Sequence, residues 1–156
     1  MKSIQKIVVL GPESTGKSTL CAALAVHYQT IWTPEYARQY LSENGTKYTY
    51  DDLLKIAKGQ IQNEDESIAS VNQKMMDYPA QHISNKLIVD TDMYVMKVWS
   101  EFVFNTCNHF ILNQIVQRKY DLYLLCMPDI PWVADELREY PDNHTREKLF
   151  HYYKDA

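Results

Sequence analysis

Glycine is scarce in this 156-residue chain: there are four, and two of them, Gly11 and Gly16, stand within six residues of each other. No Gly/Ser linker, low-complexity run or internal repeat interrupts the sequence, so a single domain over 1–156 is the expected organisation, long enough to bury a core without staples or metals. Cysteine is sparse as well. Cys21, Cys107 and Cys126 are odd in number, widely spaced and without a C-x-x-C pair, which excludes a disulfide framework and a zinc site and predicts reduced thiols in a cytoplasmic protein. Long apolar runs are missing. The opening "MKSIQKIVVLG" holds four apolar residues in a row and nowhere do eighteen follow one another, so neither a signal peptide nor a membrane partner is expected. The net charge of -4 offers no basic field, which argues against nucleic acid as a partner.

What the chain does have is short apolar blocks at regular intervals. "KIVVLG" (6–11), "KLIVDTD" (86–92) and "YDLYLLCM" (120–127) are bounded by turn or charge signals and read as strands, with "QTIWTPE" (29–35) a weaker fourth. The first three lack polar alternation, the pattern of strands covered on both faces of a parallel sheet. Helical spacing fills the intervals: "KSTLCAALAVHY", "PEYARQYLSEN" ending before Gly45, "MYVMKVWSEFVFN" and "HFILNQIVQRKY". The stretch 51–79 begins with Asp51 and stops at Pro79, as one long helix or as two joined near Gly59. Its apolar face suits a core or a second copy of the chain equally. Strand and helix alternate, so the class is α/β with a mainly parallel sheet flanked by helices in three layers. From about residue 128 the composition shifts to prolines, charges and scattered aromatics, which sets a lid-like segment (128–156) beyond a core of about 1–127.

"GPESTGKST" satisfies the phosphate-loop pattern G-x-x-x-x-G-K-[ST], with a strand candidate before it and a helix candidate after it. Two such glycines occur by chance at roughly half a percent of positions, and the required Lys-Ser lowers that by on the order of a hundredfold. In such a loop, successive backbone N–H groups and the helix N-terminus solvate phosphate. Gly11, Glu13, Ser14, Thr15, Gly16, Lys17, Ser18 and Thr19 are therefore the candidate ATP-binding residues, Lys17 adding full charge on the β- and γ-oxygens and the Ser18 hydroxyl suited to Mg²⁺.

Ligands of open parallel sheets collect beyond the carboxyl ends of the strands. There the sequence places Glu35, Asp90 and Asp92. Asp90 has the position of a second Mg²⁺-organising carboxylate, although Asp90 and Asp92 also suit helix caps. A switch or motor has no use for Glu35, whereas a small-molecule kinase needs a base beside the acceptor hydroxyl; first-turn helix charge is the other use of such a Glu. Arg38, three residues on, is placed to bind substrate or to pair with Glu35. In the C-terminal segment Arg138, Arg146 and Lys148 are lid cations or simply solvated charges. Trp32, Tyr36, Trp99 and Trp132 are candidates for stacking on a flat ring or for the core. His82, His109, His144 and His151 show no ligand spacing.

Taken together, the phosphate loop, "TPEYARQYL", "KLIVDTD" with "KVW", and "YDLYLLCMPDIPWVADELREYPD" resemble the NadR-like ribosylnicotinamide kinases, a branch of the P-loop ATPases, over about residues 4–155. The resemblance implies a P-loop fold with a C-terminal lid and phosphorylation of the ribose 5′-hydroxyl of nicotinamide riboside by ATP, with Mg²⁺, in NAD salvage. It implies that Lys17, Ser18 and Thr19 hold ATP and Mg²⁺, that Glu35 or Asp90 contacts or deprotonates the acceptor, and that Asp92 and Arg38 fix the substrate, beside Tyr36 and Trp99. Arg138 and Arg146 fall in the lid, the match around Arg146 being looser. Two departures stand out: this sequence starts at the kinase strand, without the adenylyltransferase and DNA-binding domains of some NadR proteins, and the family's fifth strand and final helix have no counterpart before Ala156. The residues also admit a kinase of another nucleoside, an NTP-hydrolysing regulatory or binding module without an acceptor, and a silent fold.

Overall fold

A computed structural model describes residues 3–78 and 84–156; the expected stop at Pro79, and His82, lie outside them. In chain order the elements are β1 (Gln5–Leu10), α1 (Lys17–His27), β2 (Trp32–Thr33), α2 (Tyr36–Asn44), α3 (Tyr50–Asp77), β3 (Lys86–Asp90), α4 (Met93–Phe104), α5 (His109–Gln117), β4 (Leu122–Leu125) and α6 (Asn143–Asp155). All strand pairs are parallel, in the order β2-β3-β1-β4. The α/β expectation is met: this is a P-loop fold, a parallel sheet between helical layers.

The unbroken apolar text of β1 follows from its two neighbours. Ile7 and Val9 pack with Ile88 against Cys21 and Ala25 of α1. Val8 and Leu10 turn the other way, onto Leu87, Val89, Val71 of α3 and Val95 of α4. Side chains alternate along a strand, so a strand covered on both sides must be apolar at every position. A further apolar cluster joins α2, α3, α4 and α5 through residues such as Leu41, Ile56, Met96 and Ile111.

β4 departs from expectation. Its residues read as a doubly covered strand, yet Leu122 is 49% exposed and Tyr123 41%. The strand lies at the sheet edge, and among the described residues nothing pairs with its outer side. The long segment resolves into one helix that passes through Gly59 without a break. It opens on a capping box: Thr49 Oγ1 accepts from Asp52 N at 3.3 Å, and Asp52 Oδ2 accepts from Thr49 N at 2.9 Å. At mid-helix Glu64, 1% exposed, accepts from Lys6 of β1 (3.0 Å) and the Tyr120 hydroxyl (2.7 Å) and pairs with Arg118 at 3.1 Å. This buried cluster ties α3 to the sheet from the end opposite the phosphate loop.

Candidate active site

β1 runs into the loop at Gly11, whose φ is 142° and where a Cβ would stand 2.6 Å from the Cys126 carbonyl oxygen. Only glycine lets the loop leave between β1 and β4 so tightly. The loop closes at Gly16, left-handed at φ 79°, which is the N-cap of α1 and supplies no side-chain bond to its first turn. No acidic residue occupies that turn either. An uncapped helix N-terminus with unsatisfied N–H groups and a positive dipole end is suited to phosphate. Lys17 folds back, its Nζ donating to the Pro12 carbonyl at 2.8 Å, and Thr15 Oγ1 donates to the same oxygen at 2.9 Å.

At the end of β3, Asp90 is fully buried and its Oδ2 accepts from Ser18 Oγ at 2.6 Å. Its Oδ1 has no partner. Burial, with Glu35 nearby, pushes the Asp90 carboxyl up to about 6 against the opposing pull of Ser18 and Lys17. A buried carboxylate with a spare oxygen next to a hydroxyl fits a hard divalent cation. Among the described residues no group of three or more His, Cys, Asp or Glu could hold a metal by itself, so water or phosphate oxygens would complete the shell.

One cavity is lined by Glu13 through Thr19 of the loop together with Glu35, Arg38, Trp99 and Arg138. Glu35 is the N-cap of α2, but its side chain makes no capping bond. Trp99 stands edge-to-face on Tyr48 at 4.9 Å and donates Nε1–H to the Tyr48 hydroxyl at 2.9 Å. Arg38 pairs with Asp135 of the C-terminal segment at 3.0 Å instead of with Glu35.

Four expected site residues are absent from the cavity wall: Asp90, which meets it only through its bond to Ser18, and three that serve elsewhere. Asp92 is buried as the N-cap of α4, accepting from Tyr94 N (3.0 Å) and Val95 N (3.4 Å), and is absent from the cavity wall. Burial raises its carboxyl to about 7. Tyr36 turns its ring onto Gly59 of α3, into the core. Arg146, expected as a lid cation, is 1% exposed; its Nη2 donates to the Ser14 carbonyl (3.1 Å) and the Ile130 carbonyl (3.2 Å), so its charge serves a joint in place of the cavity. Trp32 packs beside α1, and Trp132 does not line the cavity. Lys148 lies over the rings of Phe102 and Tyr152.

The C-terminal segment is fastened to the phosphate loop. The Glu13 carboxylate accepts from Glu139 N (2.9 Å) and Tyr140 N (3.1 Å), and Ser14 Oγ accepts from Val133 N (2.9 Å) and Arg138 Nη1 (3.3 Å). Burial raises the Glu13 carboxyl above its ordinary range, backbone N–H bonds opposing it. Sequence reasoning missed Tyr48, Phe102, Tyr140 and Tyr153, four aromatics of the cavity wall. They come from four separate segments, and the aromatic content of the C-terminal stretch was a signal for Tyr140 and Tyr153 alone.

Comparison with known proteins agrees with this architecture. A family model described as an AAA domain matches residues 6–156. The chain is 28% identical over 150 residues to the trifunctional NAD biosynthesis/regulator protein NadR of Escherichia coli strain K12, covering 94% of this chain and 34% of that protein. It is 29% identical over 139 residues to the Salmonella typhimurium protein of the same name, covering 86% and 31%. It thus spans about a third of the curated relatives it matches. A NadR crystal structure in complex with NR superposes with a TM-score of 0.73 at 20% identity, covering 97% of this chain and 42% of that one. A second, in complex with NAD and AMP-PNP, gives 0.69 at 19%, covering 97% and 40%. No described helix is long and apolar enough to cross a membrane.

Proposed function

This chain belongs to the AAA-domain family matched over residues 6–156, and from that premise we propose that it is an ATP-dependent kinase of the 5′-hydroxyl of nicotinamide riboside, yielding nicotinamide mononucleotide. One observation carries the reading: the phosphate loop and a carboxylate without a capping bond, Glu35, line the same cavity. A hydrolase or switch needs the first; a transferase needs both. The similar NadR proteins, one of them holding NR, support the choice of acceptor.

In this reaction the acceptor oxygen bonds to the γ-phosphorus, the bond from that phosphorus to the β–γ bridging oxygen breaks, and ADP leaves. Glu35 accepts the hydroxyl proton; Asp90, already engaged by Ser18, serves the phosphate side. Ser18 and Asp90 are the residues that would hold Mg²⁺, which when bound neutralises phosphate charge. Lys17 of the loop and Arg138 of the C-terminal segment both line the cavity, and in this reading they supply positive charge to the transferring group. Arg38 and Trp99 orient the riboside, Trp99 offering a ring edge whose N–H is already satisfied by Tyr48.

Incubation with Mg-ATP and a panel of nucleosides, following ADP release and product mass, tests the proposal. Turnover with nicotinamide riboside and a product heavier by one phosphoryl is expected. ADP release independent of any acceptor would overturn the kinase reading, and turnover of uridine or thymidine alone would replace the acceptor.

A further inference from the structure

Gln60 lies in the middle of α3 and is 1% exposed, buried among apolar residues. Its carboxamide uses both ends. Oε1 accepts from the backbone N–H of Tyr36 at 2.7 Å, while Nε2 donates to the Asp90 carbonyl (3.2 Å) and the Thr91 carbonyl (3.0 Å). Tyr36 N is a first-turn donor of α2, directly after Glu35. The two carbonyls terminate β3, where Thr91 sits at φ 75°, a left-handed conformation that a β-branched residue adopts only under constraint. Gly59 completes the device. A Cβ there would stand 2.0 Å from the Tyr36 ring, so its absence lets α3 approach α2 closely enough for the next residue to reach.

We propose that Gln60 is the positioning residue of this active site, holding the start of α2, and Glu35 with it, against the end of β3 that carries Asp90. The proposal rests on the kinase reading for its consequence, because only a two-substrate reaction requires a carboxylate at the acceptor end to keep register with one at the phosphate end. A packing residue of the same volume would be apolar. An amide in a dry core is costly unless each polar atom is satisfied, and here each meets a backbone group, of the residue after Glu35 or of the end of β3. The β2–α2 turn and the β3–α4 turn come from strands that pair only through Trp32 with Ile88 and Thr33 with Val89, so beyond Thr33 the sheet ladder no longer fixes their separation. Gln60 takes over where the ladder stops.

Gln60→Met keeps length and volume and removes both bonds; Gln60→Glu keeps the acceptor for Tyr36 N and removes the donor. For Gln60→Met we expect exchange of the Tyr36 amide to accelerate by about tenfold or more, kcat to fall about 10- to 100-fold, and KM for ATP and AMP-PNP affinity by calorimetry to change by less than about threefold. Gln60→Glu, the variant to use if Gln60→Met does not fold, should retain Tyr36 protection and still lose turnover. Unchanged Tyr36 exchange in Gln60→Met would overturn the clamp. Wild-type kcat, or a loss of AMP-PNP affinity as large as the loss of kcat, would overturn the positioning role. If the wild-type chain phosphorylates no nucleoside, the kinase reading and the catalytic consequence fail together, and Tyr36 exchange still decides the clamp on its own.

Discussion

At the scale of single residues the site divides between carboxylates that differ in what already holds them. Glu35 has no capping bond, whereas Asp90 is engaged on one oxygen and Asp92 on its helix. Glu35→Gln is therefore expected to cut kcat by about 10²- to 10⁴-fold, the usual worth of a positioned base, with AMP-PNP affinity unchanged, while Lys17→Ala should weaken both; equal kcat for Glu35→Gln and wild type would remove Glu35 from the mechanism. Asp90 adds a stability signature. Its carboxyl is raised to about 6 in the fold, so between roughly pH 4 and 6 the folded chain keeps a proton that the unfolded chain has released. That contribution is full below about pH 4 and is lost as pH rises through about 6. In the absence of nucleotide, Asp90→Asn should be more stable than wild type at pH 8 by roughly 1–3 kcal/mol and converge with it near pH 4; thermal melts across that range would sink the idea if the two curves ran parallel.

Among the elements, those with local causes were legible. β1, the phosphate loop and α1 follow from period and from glycine spacing within 23 residues, Gln5–His27, and each lies where the text predicts. What escaped depends on partners far along the chain. The apolar text of β4 could not reveal that one side of the strand is bare, because sheet order is a property of pairings. Asp92 and Arg146 had the right residue types for a site, but burial against α4 and against Ser14 decided their use. Gln60 offered no sequence signal, since its three backbone partners lie 24 to 31 residues away. The Glu64 cluster is of the same kind, with Lys6 58 residues distant and Tyr120 56. Glu64→Ala leaves Lys6 and Arg118 facing a vacated interior, and should destabilise the fold by about 3–5 kcal/mol in denaturant unfolding; a loss below about 1 kcal/mol would mean that the ion pairs contribute little to docking α3.

Over the whole molecule, the phosphate loop is joined to the C-terminal segment by Glu13, Ser14, Arg138 and Arg146. Glu13 receives two backbone N–H groups from the stretch that brings Tyr140 to the cavity wall, so its carboxylate couples the phosphate loop to that part of the wall. Glu13→Gln keeps one acceptor oxygen without full charge and should raise KM for the nucleoside about 3- to 10-fold with a smaller effect on AMP-PNP affinity, since a charge-assisted bond contributes about twice a neutral one. A variant with unaltered nucleoside KM would show that the fastening is decorative. The fastening also bears on the end of the catalytic cycle. If the C-terminal segment serves as the lid of the proposed reaction, its bonds to the loop that grips the donor make the two move together, and a single opening rate is then expected for the release of ADP and of the phosphorylated riboside.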